Sequence, residues 1–474
     1  MKPLATMSTE ESMFNLSKHQ TTFRQEVIAG LTTFSTMAYI IFVNPAILSE
    51  TGMDFQSVMI ATCLAAATGS LLTGLLSNYP FAQAPGMGLN AFFVYTVVFQ
   101  SGYSWQGGLA IVFVSGVVFI LLTIGGLRAA IANALPSCIL HAIPAGIGLF
   151  ITLIGLNNAQ IIDINQGPII DIILSDKLTD QAALIDRIQQ APPQILQFGD
   201  LNSPPVLLAV LGFVLMALLM IKGVGGAILI SIVAVAVASL LLGISELPEQ
   251  WFSFSLDLSP TFLQLDFSEL FGNSSASIFS RIMDILVIVV AFTMVDLFDT
   301  LGTLYGTAEK GGFLDKEGRL PRMNRALMAD AVATTFGSLL GTSTITTYIE
   351  SGTGIAAGGR TGLTAIVVAV LFLLCVFLSP LAALIPAAAT SPALIMVGVL
   401  MLGSVRKVNF DMLDEAVPAF LVIVLMPFTY SIANGIGGGL VVYTIIKAVK
   451  GDFKSLNPII VVISLLFIFK FIFT

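Results

Sequence analysis

Three of the 28 acidic residues fall within or against long apolar runs: Asp296, Asp299 and Glu350. An acid at mid-helix in a bilayer costs about 2.5–3.5 kcal/mol on translocon scales, which makes such a residue a functional-site candidate. Asp296 and Asp299 stand three apart and project from one helix face. Glu350 follows Thr346-Thr347-Tyr348, so a hydrogen-bond acceptor sits beside an aromatic face. That pairing suits a flat, neutral, hydrogen-bonding ligand such as a heterocyclic base. Asn90 adds an amide that both donates and accepts. An inorganic anion would call for arginine or lysine inside the apolar runs, and none is central. Asp284 and Asp330 lie near the ends of runs and read as solvated. His141 reads as interfacial packing near Pro144, and His19 belongs to a polar N-terminal segment. Cys63, Cys138 and Cys375 have no metal-like spacing, so neither a metal site nor a disulfide framework is expected. No nucleophile–base pair suggests an enzyme.

The elements that must hold these groups are membrane helices. The 474 residues are 56% hydrophobic and 10% charged, with a mean hydropathy of +0.96. A soluble protein carries about 25% charged residues, so a soluble enzyme and a disordered chain are both excluded. A spanning helix needs about 20 apolar residues. Such runs occur at 27–48, 57–77, 85–100, 107–126, 138–157, 204–221, 224–244, 281–305, 324–341, 346–359, 361–379, 389–404, 415–431 and 433–449, numbered here as spans 1–14. A further apolar stretch, 457–473, is either a fifteenth span or an in-plane helix. With the N-terminus cytoplasmic, Lys177, Arg187 and Arg281 fall outside and the tail's Lys470 is unassigned. All other basic residues then lie inside, as the positive-inside rule requires. The net charge of −8 and the lack of a basic stripe give no sign of nucleic acid.

The halves repeat. Phe34-Ser35-Thr36-Met37-Ala38-Tyr39 resembles Ala291-Phe292-Thr293-Met294-Val295-Asp296, and Ala67-Thr68-Gly69-Ser70-Leu71-Leu72 matches Thr335-Phe336-Gly337-Ser338-Leu339-Leu340. Ala84-Pro85-Gly86-Met87-Gly88-Leu89-Asn90-Ala91 parallels Glu350-Ser351-Gly352-Thr353-Gly354-Ile355-Ala356-Ala357. Two further pairs, at Pro144/Pro392 and Gly223/Gly435, follow in the same order. Seven spans per copy is odd, so the second copy enters the membrane from the opposite face. Transporters place their substrate site where such inverted repeats meet. Spans 3 and 10, short and glycine-interrupted, occupy matching positions. Their glycines are expected to leave extended backbone at membrane depth, which must pair or line a cavity. Each piece then passes into a short helix whose N-terminal N–H groups point at the protein centre. The expected fold is an all-α polytopic membrane protein of about 14 spans in a 7+7 inverted repeat, with spans 3 and 10 part extended strand and part short helix.

Gln83-Ala84-Pro85-Gly86-Met87-Gly88-Leu89-Asn90-Ala91-Phe92, Val295-Asp296-Leu297-Phe298-Asp299-Thr300-Leu301-Gly302-Thr303 and Tyr348-Ile349-Glu350-Ser351-Gly352-Thr353-Gly354, followed by Ala357-Gly358-Gly359-Arg360-Thr361-Gly362, resemble the azaguanine-like purine permeases. These form part of the nucleobase/ascorbate transporter superfamily, which shares its fold with the bacterial uracil–proton symporter. The resemblance covers nearly the whole chain. It implies a core domain of spans 1–4 and 8–11 (27–126 and 281–379) and a gate domain of spans 5–7 and 12–14 (127–244 and 380–449). A cytoplasmic segment 1–26, an extracytoplasmic loop 245–280 and an apolar tail 450–474 complete the chain. It further implies uptake of a purine base with protons by alternating access, guanine or hypoxanthine being favoured and adenine remaining open. No cofactor beyond the coupling proton is expected, and a homodimer through the gate fits the superfamily. Asn90, Asp296 and Glu350 match the substrate-binding polar positions, and Tyr348 matches an aromatic that packs on the base. Gly88, Ser351 and Gly352 complete the expected binding set. The proton is expected on Asp296, Asp299 or Glu350; the uracil relative has a histidine one turn after its eighth-span acid, where this chain offers Asp299 or Thr300. The rival reading is an anion exchanger on the same architecture.

Overall fold

The computed structural model describes residues 14–126, 135–164, 196–245, 247–248, 250–254, 257–271, 278–316 and 318–473. Lys2, Arg128, Lys177 and Arg187 of the orientation argument lie outside these. The first half runs α1 (Phe23–Met37), α2 (Ile40–Leu48), α3 (Phe55–Ser77), β1 (Gln83–Pro85), α4 (Met87–Ala91), α5 (Trp105–Ile124), α6 (Ser137–Asn158), β2 (Ile162–Ile164), β3 (Leu196–Phe198), α7 (Pro204–Ile221) and α8 (Ala227–Leu241). The second runs α9 (Ser268–Phe271), α10 (Ile278–Gly311), α11 (Met323–Leu340), β4 (Ile345–Thr347), α12 (Ser351–Ala356), α13 (Gly362–Cys375), α14 (Ala387–Leu402), α15 (Leu413–Phe428), α16 (Ile432–Val449) and α17 (Pro458–Phe473).

Helix starts follow local chemistry. Thr22, Asp54, Ser104 and Ser431 each accept a hydrogen bond from a first-turn N–H of α1, α3, α5 and α16, satisfying one of the donors a helix end leaves open. Pro204 opens α7, where its missing N–H costs nothing. Span 1 begins earlier than expected, at Phe23, and turns at Ala38–Tyr39 between α1 and α2.

Among the described residues, nine helices are long and apolar enough to cross a bilayer, against fourteen expected spans. The other five are explained one by one. Spans 3 and 10 are broken, α8 and α15 are short at 15 and 16 residues, and α11 carries Arg325 and Asp330 among its 18 residues. The apolar tail is a helix, α17, packed along α16: Ser464 Oγ lies 2.8 Å from Thr444 Oγ1 and donates to the Leu440 carbonyl at 3.2 Å. Its Lys470 comes near Asp284 of α10.

The inverted repeat is visible in the packing. α6 and α14, each with a proline in matching place (Pro144 and Pro392), lie against one another. They approach through glycines: a methyl on Gly148 would stand 2.8 Å from the Gly398 carbonyl, and one on Gly398 would stand 1.9 Å from Thr152 Oγ1. Small residues of this kind let membrane helices come close. α3 packs on α11 and α13, α5 on α11, and α1 on α13 and α12; separately, α14 packs on α7 and α15 on α6 and α16.

At the centre, β1 and β4 pair antiparallel with Gln83 opposite Thr347, Ala84 opposite Thr346 and Pro85 opposite Ile345. The ladder continues on both sides, with Gly86 N donating to the Thr344 carbonyl and Tyr348 N to the Ala82 carbonyl, each at 3.0 Å. All six strand residues are buried. Two extended segments from opposite halves thus satisfy each other's backbone where water cannot. A second antiparallel pair, β2 with β3, follows α6.

Of the motif glycines only Gly86 is extended, as expected from sequence; Gly88, Gly352 and Gly354 come after the extended residues. Gly88 and Gly354 sit inside α4 and α12, and close packing explains them. A methyl on Gly88 would stand 2.6 Å from Ile147 Cγ2 of α6, and one on Gly354 would stand 2.1 Å from Thr33 Oγ1 and 2.6 Å from the Ala29 carbonyl of α1.

Candidate functional site

Each strand is clipped by a hydroxyl from the neighbouring helix of its own half. Ser70 Oγ of α3 accepts from Gln83 N at 2.9 Å and donates to the Gln83 carbonyl at 3.1 Å. Thr334 Oγ1 of α11 does the same to Ile345, both contacts at 3.1 Å. Ser351 Oγ accepts from Ala82 N at 3.0 Å, which ties α12 to the foot of β1. Ser351 is therefore committed to the scaffold.

Between β4 and α12 the chain turns through Tyr348, Ile349 and Glu350. Tyr348 is buried, and its hydroxyl donates to the Pro85 carbonyl at 2.5 Å across the strand pair. Ile349 is 62% exposed and Glu350 half-buried, so this turn faces open space. Glu350 Oε1 accepts the Tyr39 hydroxyl of span 1 at 2.9 Å. The N–H groups of Ser351, Gly352 and Thr353 bond the carbonyls of Tyr348, Ile349 and Glu350 at 2.9–3.1 Å. The start of α12 thus uses these donors in its own turn rather than aiming them free at the centre.

Asn90 is fully buried on α4. Its Oδ1 accepts the Ser343 hydroxyl, and its Nδ2 has no hydrogen-bond partner among the described residues. A buried amide donor left open costs about 1–3 kcal/mol, which a ligand acceptor would offset. Asp296 is fully buried on α10, a helix that packs against β4, α12 and α4. Asp299, one turn on, is partly buried beside Thr346 with Asp330 and Glu350 as its charged neighbours. Gly88 faces Ile147 of α6, and Gly352 has only Thr307 Cγ2 near its open side, at 3.7 Å. The expected acids, amide and tyrosine therefore gather around one strand pair, while Gly88 and Ser351 are occupied in packing.

Asp330 corrects the expectation of a solvated span-end acid. It is fully buried and accepts the Thr300 hydroxyl at 3.1 Å. The local pattern misled because α11 packs against both α3 and α5, which cover the face carrying Asp330. Glu26, expected in a cytoplasmic segment, is also fully buried. It accepts from the Thr364 hydroxyl at 2.5 Å and from the N–H groups of Arg360 and Thr361 at 2.9 and 3.3 Å, holding the start of α13. Nothing in the sequence marks Asn44. It is fully buried and donates to Thr62 Oγ1 at 2.6 Å and Thr342 Oγ1 at 2.9 Å. Tyr39 had one signal in the sequence: the repeat aligns it with Asp296. A cavity of about 460 Å³ bounded by Ser104, Gln106 and Leu263–Asp266 contains none of the residues of this site.

A chain whose inverted halves exchange strands at membrane depth, beside buried carboxylates, has the architecture of a carrier. The Permease family model matches residues 24–185 and 167–438, and the chain belongs to that family, the xanthine/uracil permeases; it is a multi-pass membrane permease, not an enzyme. It is 40% identical to the adenine permease AdeP of Escherichia coli over 98% of this chain and 96% of that one. It is also 40% identical to the guanine/hypoxanthine permease PbuG of Bacillus subtilis, over 98% and 99% respectively. Among solved structures it resembles the transmembrane domain of a cyanobacterial bicarbonate transporter, BicA, with TM-score 0.60 and 16% identity over 87% of this chain and 97% of that one. It also resembles the murine anion transporter Slc26a9 in its inward-facing state, with TM-score 0.61 and 12% identity over 95% and 74%. At these identities the likeness concerns the fold alone, and it agrees with the inverted-repeat architecture expected from sequence.

Proposed function

We propose that the protein imports purine nucleobases with protons, by alternating access of a core domain against a gate domain. The observation that carries this reading is the turn Tyr348–Glu350, exposed at Ile349 and leading from β4 of the strand pair into α12. It offers a flat base an aromatic wall, a carboxylate acceptor and, from Asn90, an open amide donor. Glu350 and Asp296 accept the ring and exocyclic N–H groups. The open Asn90 Nδ2 donates to an acceptor on the base, a carbonyl or a ring nitrogen, while Glu350, suited to adjacent N–H donors, favours the oxopurines guanine and hypoxanthine. The adenine and guanine/hypoxanthine permeases to which the chain is similar support the substrate class and leave the choice between them open.

One carboxylate among Asp296, Asp299 and Glu350 takes the coupling proton. Neutralising it lowers the cost of moving the core through hydrocarbon, which couples the two fluxes. The separate packing of α1, α3, α5, α11 and α13 from that of α6, α7, α14, α15 and α16 supports the division into core and gate. The basic residues of the short loops support a cytoplasmic N-terminus. Anion exchange draws only on fold likeness, and carboxylates would repel an anion.

Proteoliposomes with an imposed inward proton gradient test this directly. Labelled hypoxanthine should accumulate, fall with excess unlabelled guanine, and stop with a proton uncoupler. Uptake blocked by sulfate or bicarbonate but indifferent to purines would favour the exchanger.

A further inference from the structure

We propose that Tyr39 is a positioning residue for substrate recognition, its phenol fixing the Glu350 carboxylate in the orientation that meets the ligand. Tyr39 lies at the turn where span 1 passes from α1 to α2, and only 2% of it is exposed. A buried tyrosine requires a partner for its hydroxyl, and here that partner is Glu350 Oε1 at 2.9 Å. Without it, Glu350 would stand on an exposed turn as a side chain with several freely rotating bonds. A carboxylate accepts at about four lone-pair sites, so one bond from Tyr39 orients the group and leaves capacity for a base.

The grip extends along one face of span 1. Thr36, one turn earlier, places its Oγ1 3.1 Å from Thr353 Oγ1, and Thr353 Oγ1 in turn donates to the Glu350 carbonyl at 2.7 Å. Thr36 and Tyr39 therefore hold both the backbone and the side chain of Glu350. The approach that permits this depends on Gly354 against Thr33 and Ala29. The repeat gives the position added meaning, because Tyr39 occupies in the first copy the place of the buried Asp296 in the second. In this reading the two copies contribute different groups to one pocket: an acid from span 8 and, from span 1, a phenol that aims the acid of span 10.

The inference rests on Glu350 binding substrate, so its test is a double-mutant cycle of Tyr39→Phe and Glu350→Gln, read as KM and Vmax for hypoxanthine uptake. Purified protein binding labelled hypoxanthine supplies the same comparison without transport. Phenylalanine keeps the ring and its packing. Hydrogen bonds to charged groups are the strong ones, so Tyr39→Phe should raise KM about tenfold, with the loss carried by KM rather than Vmax. In the Glu350→Gln background the same change should add less than about twofold, because the two groups act as one unit. An unchanged KM in Tyr39→Phe, or an equal effect in both backgrounds, would overturn the role of Tyr39 and leave Glu350 in the site. An unchanged KM in Glu350→Gln alone would remove Glu350 as well.

Discussion

Span 3 leaves its strand at Pro85 and enters its helix at Met87, with Gly86 alone between them; span 10 leaves at Thr347 and enters at Ser351, with Tyr348, Ile349 and Glu350 between. The strands themselves are matched, residue against residue, and each is clipped by one hydroxyl of its own half. The duplication therefore built a symmetric scaffold, and the asymmetry lies in the connection. The second copy uses its longer turn to carry an aromatic and a carboxylate, while the first hands over directly to a helix carrying Asn90. A symmetric pair of strands can satisfy backbone at membrane depth; distinguishing the two edges of a base needs two different walls.

Substitutions can break this comparison at different levels. Gly354→Ala should have the largest effect, since its methyl would meet Thr33 Oγ1 at 2.1 Å and the Ala29 carbonyl at 2.6 Å. Overpacking costs about 1–3 kcal/mol, and more where backbone must move; uptake should vanish, with less protein in the membrane by immunoblot. Gly88→Ala, its counterpart, meets the Ile147 Cγ2 methyl at 2.6 Å and no backbone atom. It should slow uptake severalfold while membrane levels hold, because it perturbs the approach of α4 to α6.

Ser70→Ala and Thr334→Ala sharpen the symmetry itself. Each removes two bonds to one strand, and each should lower stability by about 1–3 kcal/mol, read as matching falls in melting temperature of purified protein. Unequal falls would mean that one strand leans on the other. Gly352→Ala should do least, since a methyl there meets only Thr307 Cγ2 at 3.7 Å; near-normal uptake would place Gly352 outside ligand contact.

Much of this was written in local sequence. Apolar runs located the spans, five ordered matches marked the repeat, and glycines in corresponding spans marked the breaks. Asp296, Asp299 and Glu350 stood out because acids are costly in lipid. The missed features depend on contacts between distant segments. Glu26 reads as a polar-segment residue until it meets Arg360 and Thr364, more than 330 positions away. Asp330 reads as solvated until α3 and α5 pack against its helix. Tyr39 looks like one more aromatic in an apolar run until its hydroxyl reaches Glu350. The glycines showed where the chain was special but not why: close approach accounts for Gly88 and Gly354, and the extended backbone falls just before them.

Equilibrium binding of labelled hypoxanthine to purified protein, wild type beside Glu350→Gln, bears most directly on whether the long turn of span 10 forms the recognition wall. The glutamine variant should bind at least about tenfold more weakly, as loss of a charge-assisted bond requires, and should melt at the wild-type temperature. Equal affinity in a folded variant would mean that the purine lies elsewhere and that the asymmetry of the two broken spans has another purpose.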